Sequence, residues 1–249
     1  LNVSDSCLLK EGTIGLSKIA LKRLNANAHD LVNVKYAPVL PSLSLVRKKL
    51  FGKSLTEKEF TLIMKDISQH NYSDIEITCF LAACAGKKMS NREVVALTKS
   101  MVKCGKTITW DERKVVLDKH CIGGLAGNRT TPIVVSIVSA AGYLIPKTSS
   151  RAITSPAGTA DTMDVLTNVD LTLSEMKDVA LEVGGCLAWG GAVNLSPADD
   201  LLIRIDRALD IDGEGQLIAS VLSKKIAAGS THVLIDIPVG ETAKVRTWD

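Results

Sequence analysis

The sequence predicts a helical bundle domain joined to an α/β domain with a parallel sheet. Residues 42–104 carry repeated helix-start signals, each followed by apolar residues at helical spacing. After Thr107 the pattern changes, and short strand-like runs alternate with helical segments, as they do in a parallel sheet covered by helices. Hydrophobic residues make up 46% of the 249 residues, which is enough for a sizeable core.

Three serines, each followed three residues later by a glutamate, predict helix starts within residues 42–104. The pairs are Ser54 with Glu57, Ser73 with Glu76, and Ser90 with Glu93. In such a capping box the hydroxyl and the carboxylate bind backbone N–H groups that a helix start leaves without partners. Gly86 and Gly105 stand where the helix ends are expected.

The alternating region predicts four strands and four helices. The strands are Val115–Leu117, Tyr143–Pro146, Cys186–Trp189 and His232–Ile237. The helices are Thr131–Ala141, Ser174–Val183, one that begins at Ser196 and Pro197, and 214–228. The run His232–Ile237 (HVLIDI) contains four apolar residues, three of them consecutive, and predicts a buried strand.

The first 40 residues are predicted to form a small separate piece. Leu31–Tyr36 alternates between apolar and polar residues like a strand. Pro38 and Pro41 then interrupt the pattern and indicate a linker.

Composition excludes several classes of protein. The net charge of +3 is close to balance and gives no sign of the concentrated basic face that nucleic-acid binding needs. The sequence contains no apolar run long enough to span a bilayer. None of the six cysteines forms a C-x-x-C pair or has zinc spacing, so we expect reduced thiols, no metal site and a cytoplasmic location.

Two segments have the residue types of a phosphate site. In the first, Lys119, Gly123, Gly124 and Thr131 lie between a predicted strand and a predicted helix. Glycines let backbone N–H groups approach an anion, and a helix N-terminus adds further donors. The second, residues 147–161, supplies hydroxyls after another strand. From spacing alone, the first segment is equally well explained as a Gly-rich turn with a surface lysine, and the second is better explained as an ordinary polar loop.

A third segment places Ser220 and Lys224 four residues apart, on one face of a predicted helix. Such a pair can donate to a carbonyl-rich ring, although an exposed lysine is the more usual outcome. Arg207 precedes this helix and either joins the site or covers apolar surface.

Together the three segments resemble the thymidine/pyrimidine nucleoside phosphorylase family. The resemblance runs from about residue 42 to the end, and the branch that it fits is the AMP-phosphorylase-like type 2 enzymes. The motifs are Lys119-His120 with Gly123-Gly124, Ser149-Ser150-Arg151 with residues 157–161, and Ala219-Ser220 with Ser223-Lys224-Lys225. Their combination and order are specific, whereas each motif alone is not.

This resemblance implies how the chain is divided. A helical domain would comprise residues 41–105 with 198–228, and an α/β domain 106–197 with 229–249, with a substrate cleft between them. Residues 1–40 would be the remnant of a small N-terminal domain. Family members continue for another couple of hundred residues, so we expect a truncated chain with an incomplete sheet. The helical domain would form a homodimer.

The resemblance also implies a role for each site residue. Lys119, Cys121, Gly123, Gly124, Thr131, Ser149 and Thr159 would bind phosphate, and His120, Arg207, Ser220 and Lys224 would hold the base. Lys119, His120, Arg207 and Lys224 would be the catalytic groups. Cys121 replaces the serine that is usual in the family, and a thiol donates a weaker hydrogen bond, so we expect weaker phosphate binding.

The reaction implied is reversible phosphorolysis of a pyrimidine nucleoside such as thymidine, with inorganic phosphate as co-substrate and no cofactor. Three alternatives stay open: a nucleoside 5′-monophosphate (AMP) phosphorylase, a phosphoribosyltransferase of the anthranilate type, and an inactive dimerising fragment. The partners are therefore a small-molecule nucleoside or nucleotide and phosphate, with no nucleic acid and no membrane.

Overall fold

The computed structural model describes residues 9–36, 39–85, 89–110, 114–123, 125, 127, 129–151, 157–209, 213–243 and 245–248. The chain divides into two compact units, 1–39 and 40–249. Among the described residues no helix is both long and apolar enough to cross a membrane.

The first unit contains one described helix, α1 (Lys18–Leu24), which Ser17 caps at its start. The strand predicted at Leu31–Tyr36 is wrong, because these residues have no regular structure. Leu31 and Tyr36 are fully exposed. A strand is held by hydrogen bonds to a neighbouring strand, and no described strand lies beside this segment.

The second unit begins with four helices and continues as an alternating α/β region. The helices are α2 (Ser42–Leu50), α3 (Glu57–Ser68), α4 (Asp74–Cys84), α5 (Asn91–Lys103), α6 (Thr130–Ala140), α7 (Thr159–Asp164), α8 (Leu173–Val183), α9 (Gly190–Val193), α10 (Pro197–Leu209) and α11 (Glu214–Ala227). The strands are β1 (Leu117–Cys121), β2 (Ile145–Ser149), β3 (Gly185–Trp189) and β4 (His232–Asp236).

Helices α10 and α11 return from the α/β region and pack on the first four helices of this unit. Leu202 of α10 and Ala219 of α11 are fully buried in the same core as Phe60 and Phe80. The rings of Phe60 and Phe80 meet edge to face, with their centroids 6.3 Å apart. The helical bundle is therefore built from two stretches of sequence that are far apart in the chain.

Two of the three predicted capping boxes are confirmed. Ser73 with Glu76 and Ser90 with Glu93 cap α4 and α5. The box predicted at Ser54 and Glu57 is wrong by two residues, because Thr56 and Glu59 cap α3. Glu59 also accepts a hydrogen bond from Lys48 at 2.6 Å, which favours this register.

Of the two glycines predicted at helix ends, Gly86 lies outside the described residues. Gly105 directly follows Cys104, the residue that ends α5. A Cβ atom on Gly105 would lie 1.9 Å from the carbonyl oxygen of Leu195. This glycine is therefore required because two backbone segments approach closely.

The four strands are all parallel, as the sequence predicts. Strand β1 pairs with β4, and β2 pairs with β3. A parallel bridge between Val116 and Leu144 joins the two pairs at the start of β1 and β2. Helix α8 covers β2 and β3 through Met176 and Ala180, which are fully buried. Because the strands are parallel, their carboxyl ends lie at one edge.

The strands lie close to their predicted positions, but β1 and β2 begin two residues later than predicted. The prediction that His232–Ile237 is buried is wrong: Leu234 is 62% exposed and Ile237 51% exposed. Among the described strands β4 has a neighbour on one side only, which is β1. Apolar composition indicates a strand but cannot tell how many neighbours cover it.

The ion pair between Lys49 and Glu93 lies inside the helical bundle, and both side chains are less than 5% exposed. Glu93 also accepts hydrogen bonds from the backbone of Leu55 and of Ser90. We expect Glu93→Ala to lower the free energy of unfolding by about 3 kcal/mol, because it removes the carboxylate that pairs with the buried ammonium group of Lys49. Chemical denaturation measures this difference.

The matched control is Glu76→Ala, which removes a capping box of the same geometry from an exposed position. That variant should lose only about 1 kcal/mol. Equal losses in the two variants would show that the buried ion pair adds nothing to stability.

Candidate functional site

A cavity of about 190 Å³ lies at the carboxyl ends of β1 and β2 and is closed from the other side by α10 and α11. The described residues around it come from the loops that follow these strands, from the start of α7 and from one face of α11. Ligands of parallel α/β sheets bind at this edge, because the loops there carry free backbone donors. The cavity is thus the cleft between the helical and the α/β parts that the sequence resemblance implies.

The hydroxyl groups predicted to bind phosphate line this cavity together. Thr131 lies in the first turn of α6, Ser149 ends β2 and Thr159 begins α7. Gly123 also lines the cavity and has a φ of +94°, a conformation that favours glycine. Gly124, predicted beside it, lies outside the described residues. Neutral hydroxyl donors near a helix N-terminus are suited to hold an anion.

Lys119 lies beneath the cavity and is 4% exposed. Its Nζ donates to Asp236 Oδ2 at 2.8 Å, Thr130 Oγ1 at 2.9 Å and Thr131 Oγ1 at 3.3 Å. The ammonium group therefore orients the hydroxyl of Thr131, and Asp236 holds it in the absence of a ligand. Direct contact with an anion requires Lys119 to give up one of these partners.

His120 and Cys121 both line the cavity. Burial, together with the four nearby lysines 119, 147, 224 and 225, lowers the pKa of His120 to about 2. The imidazole is therefore neutral near pH 7 and binds through hydrogen bonds rather than charge. Burial raises the pKa of the Cys121 thiol, and Asp236 adds to this effect. Cys121 is thus a neutral thiol and brings no negative charge to the site.

The residues predicted to hold the base lie on the opposite wall. Ser220 and Lys224 line the cavity from α11, one helical turn apart. Both bind the same oxygen of Asp199: Ser220 Oγ donates at 2.8 Å and Lys224 Nζ at 2.6 Å. Burial alone would lower the pKa of Lys224, but the attraction of Asp199 raises it overall. Lys224 is therefore held as a cation at neutral pH.

Arg207, like Lys119, is a predicted site residue that does not line this cavity. It lies in the last turn of α10 and lines a second cavity of about 360 Å³ with Arg151, Arg204, Trp189 and Lys224. The family resemblance grouped Arg207 with Ser220 at the base, but the cavity that Arg207 lines does not include Ser220. Lys224 lines both cavities, so the two are adjacent.

Sequence reasoning missed four charged residues at the site: Asp118, Lys147, Asp199 and Lys225. Lys225 Nζ forms a fully buried ion pair with Asp118 Oδ2 at 2.8 Å. Lys147 lines the cavity from β2 although it is only 3% exposed. No local signal marks these residues, because β1 (LDKHC) and α10 (PADDLLIRIDRAL) already contain several charged residues, and only the packing shows which of them are buried.

The described residues contain no group of three or more His, Cys, Asp or Glu side chains arranged to hold a metal ion. The charged groups at the cavity wall are instead mostly lysines and arginines. An arrangement of this kind attracts an anion.

The fold and the site together define a class: a protein with a helical bundle and a parallel α/β part, and with a cleft between them that is lined by cationic and hydroxyl side chains. Comparison with known families agrees with this class. Residues 43–105 match the helical bundle domain of a glycosyl transferase family, and residues 113–249 match the a/b domain of the same family. The chain belongs to this glycosyl transferase family.

Curated relatives from three bacteria are similar to almost the whole chain. A protein of Ralstonia nicotianae is 56% identical over 99% of the chain, one of Cupriavidus necator 58% over 96%, and one of Hahella chejuensis 57% over 94%. The first and third are named "Putative thymidine phosphorylase", and the second "Putative thymidine phosphorylase 1". The chain spans about half the length of these relatives, 46–48%.

A solved structure shares the fold at low sequence identity. It is the crystal structure of anthranilate phosphoribosyltransferase from Thermus thermophilus, which superposes with a TM-score of 0.63 at 20% identity. The similarity covers 77% of this chain and 57% of that one. It confirms the predicted architecture of a helical bundle with an α/β domain.

Asp199 binds two of the four residues predicted to hold the base, Ser220 and Lys224, so replacing it tests how this wall of the cavity is built. Asp199→Ala leaves Lys224 buried without its carboxylate, so we expect the free energy of unfolding to fall by about 3–5 kcal/mol. Because the pKa of Lys224 is raised, the loss should be complete at pH 7 and should shrink only above its unfolded value of 10.5. Denaturant unfolding at several pH values measures both effects.

The control is Asp199→Ala combined with Lys224→Met, which removes the buried charge together with its partner. Most of the lost stability should return in the double variant. A double variant that is no more stable than Asp199→Ala would contradict this account of the pair.

Proposed function

We propose that this chain forms the substrate cleft of a pentosyltransferase that cleaves a pyrimidine nucleoside, such as thymidine, with inorganic phosphate. The observation that carries the proposal is the pairing of two unlike walls in one cavity. Hydroxyl groups and lysines lie at the strand ends, and Ser220 and Lys224 face them from α11. The family membership and the names of the relatives support the same reaction.

In this reaction an oxygen of phosphate attacks C1′ of the ribose as the bond from C1′ to the base nitrogen breaks. The electron pair of that bond passes to the base, and the products are the free base and (deoxy)ribose 1-phosphate. Lys224, held as a cation by Asp199, stabilises the negative charge that develops on the base. Thr131, Ser149 and Thr159 orient the phosphate, so positioning and electrostatics supply the catalysis.

The remaining features follow as parts of the same proposal. Phosphate is a co-substrate, and no cofactor takes part. The domain division, residues 41–105 with 198–228 against 106–197 with 229–249, is supported by the packing of α10 and α11 on the first helices of the second unit.

Homodimer formation through the helical domain is supported by exposed apolar side chains such as Phe51 and Ile75, and sedimentation of the purified chain tests it. The cytoplasmic location stays a prediction.

Lys119→Ala should abolish phosphate-dependent release of base from thymidine, lowering the rate by roughly 100-fold or more, because it removes the group that orients Thr131. The measurement is release of thymine with and without phosphate. Lys114→Ala is the matched control, since Lys114 is exposed. A Lys119→Ala protein that keeps its activity would refute the assignment of this cleft to phosphate.

A second candidate substrate, a nucleoside 5′-monophosphate, is favoured by the arginines of the second cavity. Arg204 and Arg207 line it next to Lys224, where a second anion would meet positive charge. Arg151 lines it too, although this guanidinium also binds Asp164 at 2.8 Å and Asp170 at 2.9 Å. A phosphate group on the sugar would then occupy the second cavity, while inorganic phosphate occupies the first.

Arg207→Ala distinguishes the two substrates. If Arg207 binds a 5′-phosphate, the variant should lose roughly tenfold or more in kcat/KM for thymidine 5′-monophosphate and AMP, but little for thymidine and adenosine. Arg92→Ala, at an exposed position of α5, is the control. Equal losses with each nucleoside and its own monophosphate would assign Arg207 to the base, as the sequence predicts.

A further inference from the structure

Lys147 differs from the other three lysines of the cleft in having no carboxylate partner. Lys119, Lys224 and Lys225 each lie 2.6–2.8 Å from an aspartate oxygen. Among the described residues no acidic group lies within ion-pair distance of Lys147, and its Nζ donates instead to the backbone carbonyl of Thr148. A buried ammonium group without a counter-charge is costly, so this position is unfavourable for charge in the unliganded protein.

A second observation points to a ligand at the same place. Thr148 lines the cavity and is 3% exposed, and its buried hydroxyl makes no hydrogen bond among the described residues. Buried hydroxyl groups are rarely left without a partner. Lys147 and Thr148 together offer an amine and a hydroxyl to whatever enters the cavity.

The charged and titratable groups that face Lys147 come from two elements. Strand β1 brings Asp118, Lys119 and His120, and helix α11 brings Lys225. Helix α6 has no charged residue, and α8 turns the apolar Met176 and Ala180 toward the sheet. Asp118, the nearest carboxylate, is already bound to Lys225. The surroundings of Lys147 are therefore net positive.

The geometry points to Lys147 as an anion-binding residue of the cleft that takes up a proton from solvent when phosphate binds. The anion supplies the counter-charge that the protein lacks at this position, and the Thr148 hydroxyl donates to the same anion. This assignment rests on the proposed phosphate site and adds to it a residue for which no role was predicted.

The expected pH range supports this assignment. Burial, with Lys225 as the nearest cation, lowers the pKa of Lys147 to about 7. The amine is therefore mostly neutral above about pH 8 in the empty protein, and an anion beside it raises its pKa again. Proton uptake on binding should be greatest near pH 8 and absent near pH 5, where Lys147 already carries its proton. His120 titrates far below this range, since its pKa is about 2.

Calorimetric titration of the chain with sulfate tests the proposal. Sulfate does not change protonation in this pH range, whereas phosphate does. Titrations in buffers of different ionisation enthalpy give the number of protons taken up. We expect roughly 0.5–1 proton per sulfate near pH 8, and an affinity that falls by up to about tenfold per pH unit above pH 7. Lys147→Met should abolish the uptake and weaken binding near pH 6.

The melting temperature of Lys147→Met and the pH profile of the unaltered chain distinguish a variant that fails to fold from a role of Lys147 that is refuted. Lys147→Met should fold, with a melting temperature at pH 7 no lower than that of the unaltered chain, because it removes an unfavourable buried amine. Should it fail to fold, the pH profile of proton uptake in the unaltered chain decides the question: uptake near pH 8 supports the proposal and its absence overturns it. Lys114→Met is the matched control at an exposed lysine.

The outcomes distinguish this inference from the proposed function. If the chain binds sulfate and phosphate without proton uptake near pH 8, or if Lys147→Met keeps that uptake, the role of Lys147 is refuted while the phosphate site stands. If neither anion binds to the unaltered chain, the phosphate site and the role of Lys147 fail together.

Discussion

The buried ion pair between Lys225 and Asp118 is the interaction on which the cleft depends. It joins α11, a helix of the bundle, to β1, a strand of the sheet, at a place where both side chains are almost fully buried. Separating such a pair leaves a charge in a medium that solvates it poorly, which costs several kcal/mol. This ion pair therefore joins the two parts of the second unit beside the cleft.

Electrostatic balance explains why this cleft suits an anion. Four lysines converge on it, and only three have an aspartate as partner among the described residues. The pKa of His120 is lowered to about 2, so its imidazole carries no positive charge at neutral pH and binds through hydrogen bonds. Under the proposed function, phosphate supplies the missing negative charge and excludes water, and in such surroundings fixed donors are more effective than in water.

Much of the fold could be predicted because the signals are local. Capping boxes, apolar periodicity and strand-like runs depend on residues within a few positions of each other, and most of the elements they indicate are present. The errors arise where the structure or the burial of a segment depends on residues that are distant in the sequence. Leu31–Tyr36 has the pattern of a strand but no described strand beside it, and His232–Ile237 has the composition of a buried strand but lies at an exposed edge.

The sequence by itself determined the order of helices and strands, the parallel sheet and the residue types of the phosphate loops, because these follow from short-range patterns and recognisable motifs. Only the tertiary structure decided which charges meet. Asp199 and Ser220 are 21 residues apart, and Lys225 and Asp118 are still farther apart, yet each pair is in direct contact. Contacts of this kind are set by how the helices and the sheet pack, so no local pattern records that Lys147 differs from these lysines in having no acidic partner in the part of the chain that the structure describes.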